Sequence, residues 1–239
     1  MAPRFYVDCD FQPNSTLVLP GKPAHHASRV LRMREGDSAV LFDGRGNEAQ
    51  CILHFFSDRT EADILSVAPS HTESPLKTVL IQALVSQEKL DWILEKATEL
   101  GVSKLVIAPA ERSVTKLDAK RLEKRLSQWK NTVQSACEQC ARSLIPDVQY
   151  FDQLQTALIN NKSDRNLVLA PAAEKRFHLE GSQSVTFAVG PEGGFSAQEI
   201  ELAKSLGYES ALLGPRVLRT ETAGLAALAV AQNQCGDFR

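Results

Sequence analysis

Two glycine–proline turns carry the residue types best suited to chemistry in this chain of 239 residues. The first, "VGPEGGFSAQE" (Val189–Glu199), follows the apolar run "VTFAV"; the second, "LLGPRVLRTETAG" (Leu212–Gly224), lies downstream. Proline removes a ladder donor and glycine leaves room for foreign atoms against the main chain, so such strand ends give up packing for access. "NLVLAP" closes in the same manner. Three strand-like runs therefore stop at Pro171, Pro191 and Pro215, with Gly190, Gly193, Gly194 and Gly214 among them. Ligands of open parallel sheets bind beyond the carboxyl ends of the strands, and the set predicts one pocket walled by bare backbone. "GPEGGF" does not fit G-x-G-x-x-G, no G-x-x-x-x-G-K-[ST] run exists, and the glycine turn has no Lys to meet a polyphosphate. A neutral or cationic nucleoside, held by main-chain groups and apolar walls, suits the turns better.

The elements that must position these turns form a β-α alternation. "TVLIQALV" leads to "EKLDWILEKATELG", whose Leu90, Ile93, Leu94, Ala97 and Leu100 make one apolar stripe closed by Gly101. "KLVIAPA" precedes a long helix from about Asp118 to Arg142. "NLVLAP", "VTFAVGP" and "SALLGP" are nearly all apolar, as strands covered on both faces are. Ser196 with Glu199 predicts a capping box opening "SAQEIELAKSLG". This alternation predicts an α/β domain with a largely parallel sheet. The preceding residues read differently: "RFYV", "STLVLP", "SAVLFDG", "EAQCILHFF" and "EADILSVAP" are short strands broken by turn residues, predicting a small barrel or sandwich. "FDGRGNE" signals a hairpin, with Gly44, Gly46 and Asn47 suited to positive φ. "AHHASRVLRM" places Ala27, Val30 and Leu31 at helical spacing. "SHTESPLK" marks a linker around residues 70–76.

Composition narrows the classes. Charged and apolar fractions are those of a globular protein, excluding disorder and fibres. No apolar run is long enough to span a bilayer, and "MAPRFYVDCD" lacks the design of a secretory signal. Five cysteines without disulfide-scaffold density point to a reduced, cytoplasmic compartment. A net charge of −2 places any nucleic-acid site in a local patch. One such patch is the run with Lys or Arg at 112, 116, 120, 121, 124, 125 and 130 against Asp118 and Glu123; a solvated helix face is its bland alternative. Arg4, Arg29, Arg32 and Arg34 form a second cluster. Cys137 and Cys140 have a zinc-ligand spacing, but no second pair accompanies them and they fall within a helical pattern, so packing and no metal is expected. Trp92 and Trp129 lie on helix stripes, where core or subunit packing is the default.

The stretches "GPEGGFSAQEI", "LLGPRVLRTETAGLAAL" and "ACEQCARSLIP" resemble the ribosomal RNA small subunit methyltransferase E family of the SPOUT superfamily. "HHASRVLRMREGD", "LFDGRGN" and "ELGVSKLVIAPAERSV" extend the resemblance over nearly the whole chain. Gly224 departs from it, since similar sequences commonly carry a bulkier residue there. The resemblance implies a PUA-like β-barrel over residues 1–72 that helps hold RNA, then an α/β trefoil-knotted, parallel-sheet methyltransferase domain over 73–239. It implies methylation of N3 of a uridine in 16S rRNA, with S-adenosylmethionine as methyl donor, the 30S subunit or its rRNA as partner, and a homodimer. A ribose 2′-O-methyltransferase and a non-catalytic assembly factor are the competing expectations.

Carried over by motif, the cofactor site comprises Leu169, Ala170 and Pro171; Gly190, Pro191, Glu192, Gly193 and Gly194; and Leu213, Gly214, Leu218, Arg219, Thr220, Glu221 and Ala223. Transfer from a sulfonium needs alignment of the methyl with the attacking nitrogen, and help in removing the weakly acidic N3 proton. Arg219 and Glu221 are the expected catalytic residues: Arg219 would stabilise negative charge on the base and Glu221 would accept the proton. For Glu221, a carboxylate favouring a helix N-terminus is the alternative. Arg4, Arg29, Arg32 and Arg112 are the expected RNA contacts.

Overall fold

The structure is a computed structural model that describes residues 2–115, 117–173 and 175–238. Lys116, part of the basic run above, lies outside the described residues. The chain forms two compact units. One comprises Met1–Glu73 with Gln134–Ile145; the other comprises Ser74–Val133 with Pro146–Arg239.

The first unit holds β1 (Arg4–Tyr6), β2 (Ser15–Val18), α1 (Gly21–His25) with a π-helical turn over His26–Val30, β3 (Ser38–Phe42), β4 (Asn47–Phe55) and β5 (Thr60–Pro69). The strands make one sheet in the order β1-β3-β4-β5-β2, parallel only between β1 and β3. Alternation along these strands buries Phe5, Leu41, Ala49, Cys51, Leu53, Ala62 and Ile64 in one core. The hairpin forms at "FDGRGNE", with Gly44 at φ 74° and Gly46 at φ 104°. Asn47 does not share that conformation: it opens β4, and its side-chain amide donates to Asp43 at 2.7 Å. The expected stripe of Ala27, Val30 and Leu31 also needs correction. Ala27 is buried, whereas Val30 is 60% and Leu31 46% exposed, because the π-turn changes the angular phase that a 3.6-residue period assumes. The segment 134–145 is fastened into this unit by Glu138, which accepts from the Tyr6 N–H at 3.1 Å, and by Arg142, which pairs with Glu73 at 2.6 Å.

The second unit holds β6 (Lys77–Ala83), α2 (Gln87–Glu99), β7 (Lys104–Ala108), α3 (Ala119–Cys140, whose last turns fall in the first unit), β8 (Asp147–Tyr150), α4 (Leu154–Asn160), β9 (Arg165–Leu169), β10 (Ser184–Val189), α5 (Ala197–Ser205), β11 (Glu209–Ala211) and α6 (Thr220–Cys235). The sheet runs β11-β9-β10-β6-β7-β8 and every pairing is parallel. Its strands are apolar on both faces because both faces are covered. Ile81, Ala83, Val106, Val168 and Ala188 pack with α4 and α5. On the opposite face α6 lies against β6 and β10, and Gly224 allows the close approach: a Cβ there would meet Leu80 Cδ1 at 3.0 Å. The stripe on α2 is buried through Leu90, Ile93, Leu94 and Ala97, with Leu100 half-buried, and Gly101 ends the helix at φ 77°. Trp129 is buried and tilted against Tyr150, while Trp92 is 52% exposed under the Lys96 ammonium.

Candidate active site

Register brings the proline-terminated strands level. Val189 of β10 pairs with Leu169 of β9, which pairs with Ala211 of β11, and Val189 also stands opposite Gln82 of β6. The turns leaving β9, β10 and β11 consequently open on one side, around a cavity of about 620 Å³. Every residue expected at the cofactor site lines it, from Leu169–Pro171 through Gly190–Gly194 to Leu213–Ala223, and so does Arg112. The walls are mostly apolar, with Val189, Phe195, Ile200 and Val217 added to the expected set, and main-chain groups are exposed between them. A flat heteroaromatic ring with polar edges suits such a lining. β11 is shorter than "SALLGP" suggests. It ends at Ala211, because the Leu212 N–H turns away to donate to the carbonyl of Lys175.

The glycines serve different ends. A Cβ on Gly190 would stand 2.7 Å from the Phe195 nitrogen and 2.9 Å from the Gly194 carbonyl carbon, so its bareness closes the turn on itself rather than admitting a ligand. Gly193 lies against the Arg112 side chain, 3.3 Å from Cδ to a built Cβ. Gly194 has φ 68°, a left-handed conformation that glycine adopts without strain. Of the four glycines in these turns, only Gly194 and Gly214 face open space.

Three elements fasten the turn that follows β10. The Thr220 hydroxyl, at the start of α6, donates to the Gly190 carbonyl at 2.6 Å and accepts from the buried Gln82 amide at 2.9 Å. The Arg112 guanidinium donates to the Gly193 carbonyl at 2.9 Å. The Lys89 ammonium, from α2, donates to Glu192 at 2.9 Å. Within the turn the Gly194 N–H donates to the Pro191 carbonyl at 2.9 Å, and the Ser196–Glu199 capping box starts α5 as expected. Burial pushes the Glu192 carboxyl up, but hydrogen bonds from Lys89 and from its own N–H outweigh it and hold the group below the ordinary value.

Arg219 is the N-cap residue of α6, and its side chain is 83% exposed at the mouth of the cavity. Glu221 sits in the first turn of α6, half-buried, with Arg219 at 3.9 Å from one oxygen and Lys89 at 4.0 Å from the other. That second oxygen, Oε2, is buried and accepts no hydrogen bond.

The expected RNA contacts divide. Arg29 and Arg32 are exposed on the first unit, and Arg32 adopts φ 51°. Arg4 is a correction. Its side chain is 7% exposed, bonded to Glu48 at 3.1 Å and Ser143 at 2.7 Å with Phe42 beneath the guanidinium, so it is a structural arginine of that unit. Burial pushes the Cys137 thiol up to about 12, which makes it a packing group and not a ready thiolate ligand. Sequence reasoning missed Lys89: a single lysine on an amphipathic helix carries no signal that separates it from a solvated face.

The RNA methyltransferase domain family matches residues 72–232, and the RNA methyltransferase PUA domain family matches residues 19–54. The chain is similar to the ribosomal RNA small subunit methyltransferase E of Bacillus subtilis, with 32% identity over 92% of this chain and 90% of that protein. The Mycobacterium tuberculosis protein of the same name is 34% identical over 95% of this chain and 90% of its own length. Among solved structures, the Neisseria gonorrhoeae ribosomal RNA small subunit methyltransferase E bound to S-adenosyl methionine superposes with a TM-score of 0.93 at 36% identity, over 100% of both chains. A Legionella pneumophila protein described as a methyltransferase, solved with bound SAM, gives 0.94 at 35% identity, again over 100% of both.

Proposed function

The chain belongs to the ribosomal RNA small subunit methyltransferase E family, and from that premise we propose that it transfers a methyl group from S-adenosylmethionine to N3 of a uridine in 16S rRNA. The observation that carries the reading is the level ending of β9, β10 and β11 around a backbone-walled cavity. Its lining fits the cofactor: apolar walls for the adenine, main-chain groups for its edges, and the carboxylates of Glu192 and Glu221 near a cationic sulfonium. The bound cofactor supplies an electrophilic methyl group, and the chain supplies alignment. Leu169–Pro171, Gly190–Gly194, Leu213, Gly214, Leu218–Glu221 and Ala223 hold the donor. Arg219 reaches from the mouth of the cavity to offset negative charge on the uracil, and Glu221, with an oxygen short of a donor, accepts the N3 proton.

The unit made of Met1–Glu73 and Gln134–Ile145 acts as the RNA-holding domain, with Arg29 and Arg32 as contacts, and Ser74–Val133 with Pro146–Arg239 as the catalytic domain, to which Arg112 contributes. The last segments of the catalytic domain thread into the trefoil knot of the SPOUT fold. The enzyme works in the cytoplasm as a homodimer on rRNA or the 30S subunit; exposed Trp92 on α2 and Val230 on α6, two helices packed together, favour pairing. Among the described residues no helix is long and apolar enough to cross a membrane. The test incubates the protein and labelled S-adenosylmethionine with 30S particles from a strain lacking the enzyme, then digests the RNA to nucleosides. N3-methyluridine is expected. A 2′-O-methylated nucleoside would overturn the target atom, and an absence of calorimetric cofactor binding would leave only an assembly factor.

A further inference from the structure

The turn Gly190–Gly194 has few side chains of its own to hold it, since three of its five residues are glycine and Glu192 alone bears a charged side chain. Its position depends on donors sent from outside. Thr220, in "RTETA", holds Gly190, and Arg112, in "AERSV", holds Gly193. The middle residue, Glu192, is held by Lys89 alone among these tethers. We infer that Lys89 is a positioning residue of the cofactor cavity, acting through Glu192 to fix the centre of the glycine turn. The inference rests on the cofactor reading above.

Geometry favours this role over a solvated surface pair. Lys89 lines the cavity, and both side chains are about two-thirds removed from solvent, at 31% and 36% exposure. One ammonium proton goes to Glu192 at 2.9 Å, while another side of the same group faces the unpartnered Glu221 Oε2 at 4.0 Å. Lysine presents three donors on a flexible stem, and one group can thus steady the turn and the first turn of α6 together. The charges facing each other here are Lys89 and Arg219 against Glu192 and Glu221, with Arg112 on Gly193 beyond them. Loss of Lys89 would leave two carboxylates against Arg219 and a turn unpinned at its centre.

A double-mutant cycle on the full-length protein, read by calorimetric titration with S-adenosylmethionine, tests the assignment. Lys89→Met is expected to weaken binding by about fivefold to tenfold in the wild-type background. In the Glu192→Gln background it should change binding by about twofold or less, because the path through Glu192 is already cut. Lys89→Arg should restore affinity to within about twofold, and the penalty should appear in the cofactor KM with kcat nearly unchanged. Equal losses in both backgrounds would overturn the inference by making Lys89 a direct ligand contact, and no loss in either would overturn it outright. Should Lys89→Met not fold, Glu192→Gln carries the test and must itself lose about fivefold; wild-type affinity in that variant sinks the assignment. A wild-type protein that fails to bind S-adenosylmethionine would be the failure of the cofactor reading, and would take this inference with it.

Discussion

The two segments that wall the cavity are built in opposite ways. The turn Gly190–Gly194 is closed on itself, pinned by Thr220, Lys89 and Arg112, and followed directly by a capped helix. The segment 212–219 is fastened at its ends, where Leu212 bonds to Lys175 and α6 begins at Thr220. Between them, residues 213–218 make no hydrogen bond among the described residues, and Val217 is 77% exposed. One wall is preformed; the other is free to settle onto what it holds. A cavity with one fixed side can align what it binds without requiring both walls to be rigid before binding.

The largest expected break in this contrast comes from Gly190→Ala. The new methyl group meets backbone at 2.7 Å, where nothing can swing aside, and a cost above about 3 kcal/mol should abolish cofactor binding or folding. Thermal melting with and without S-adenosylmethionine reads the result, and a wild-type curve would refute the rigid-wall description. Next in size, Arg219→Ala should leave the melting temperature unchanged, since the side chain is solvent-facing, while single-turnover methyl transfer falls about 100-fold. A lowered melting temperature with unaltered transfer would make it structural. Thr220→Val removes the donor to Gly190 and the acceptor for Gln82, at about 1–3 kcal/mol by denaturant titration. Gly214→Ala on the loose wall adds a methyl group to open space, so its cost is limited to backbone strain at φ 156°, about 1 kcal/mol. If it proved as damaging as Gly190→Ala, the two walls would be equivalent.

The smallest effect concerns pH. The Glu192 carboxyl is held below its ordinary value, so the stabilisation it gives is present above the unfolded value and disappears as pH falls through the folded one. Folding stability, read by denaturant titration, should therefore decline on acidification below about pH 4.5, and Glu192→Gln should flatten that decline. An identical decline in the variant would assign it to another group. In Glu221→Gln, an unchanged pH–rate profile and rate would remove Glu221 as the proton acceptor.

Features whose signals are local were legible in the sequence. The buried strands, the proline-marked ends of β9 and β10, the Ser196–Glu199 cap and the Gly101 stop each follow from residue types within a few positions. The residues expected at the cofactor site come from the family resemblance, and register explains why the turns that carry them lie together, because Leu169, Val189 and Ala211 stand side by side. What escaped depends on brief or irregular local geometry or on partners distant in sequence. "DVQY" forms β8 at a sheet edge, where four residues alternate too briefly to register as a strand. Val30 and Leu31 face solvent because a π-turn breaks the helical phase. Arg4 looked like an RNA contact because a sequence does not show that Glu48 and Ser143 enclose its guanidinium. Lys89 was passed over for the converse reason: its carboxylate partner, Glu192, lies 103 residues away in the sequence.

The segment Gln134–Ile145 gives the last lesson. A gene fragment stopping at residue 73 would encode every strand of the first sheet, yet it would omit the glutamate that satisfies Tyr6, the serine that shares Arg4 and the guanidinium that neutralises Glu73. The first compact unit is therefore non-contiguous in its own gene. Swapping it between enzymes by exchange at a single junction would deliver a half-satisfied core, and grafting its specificity would require transplanting two stretches at once.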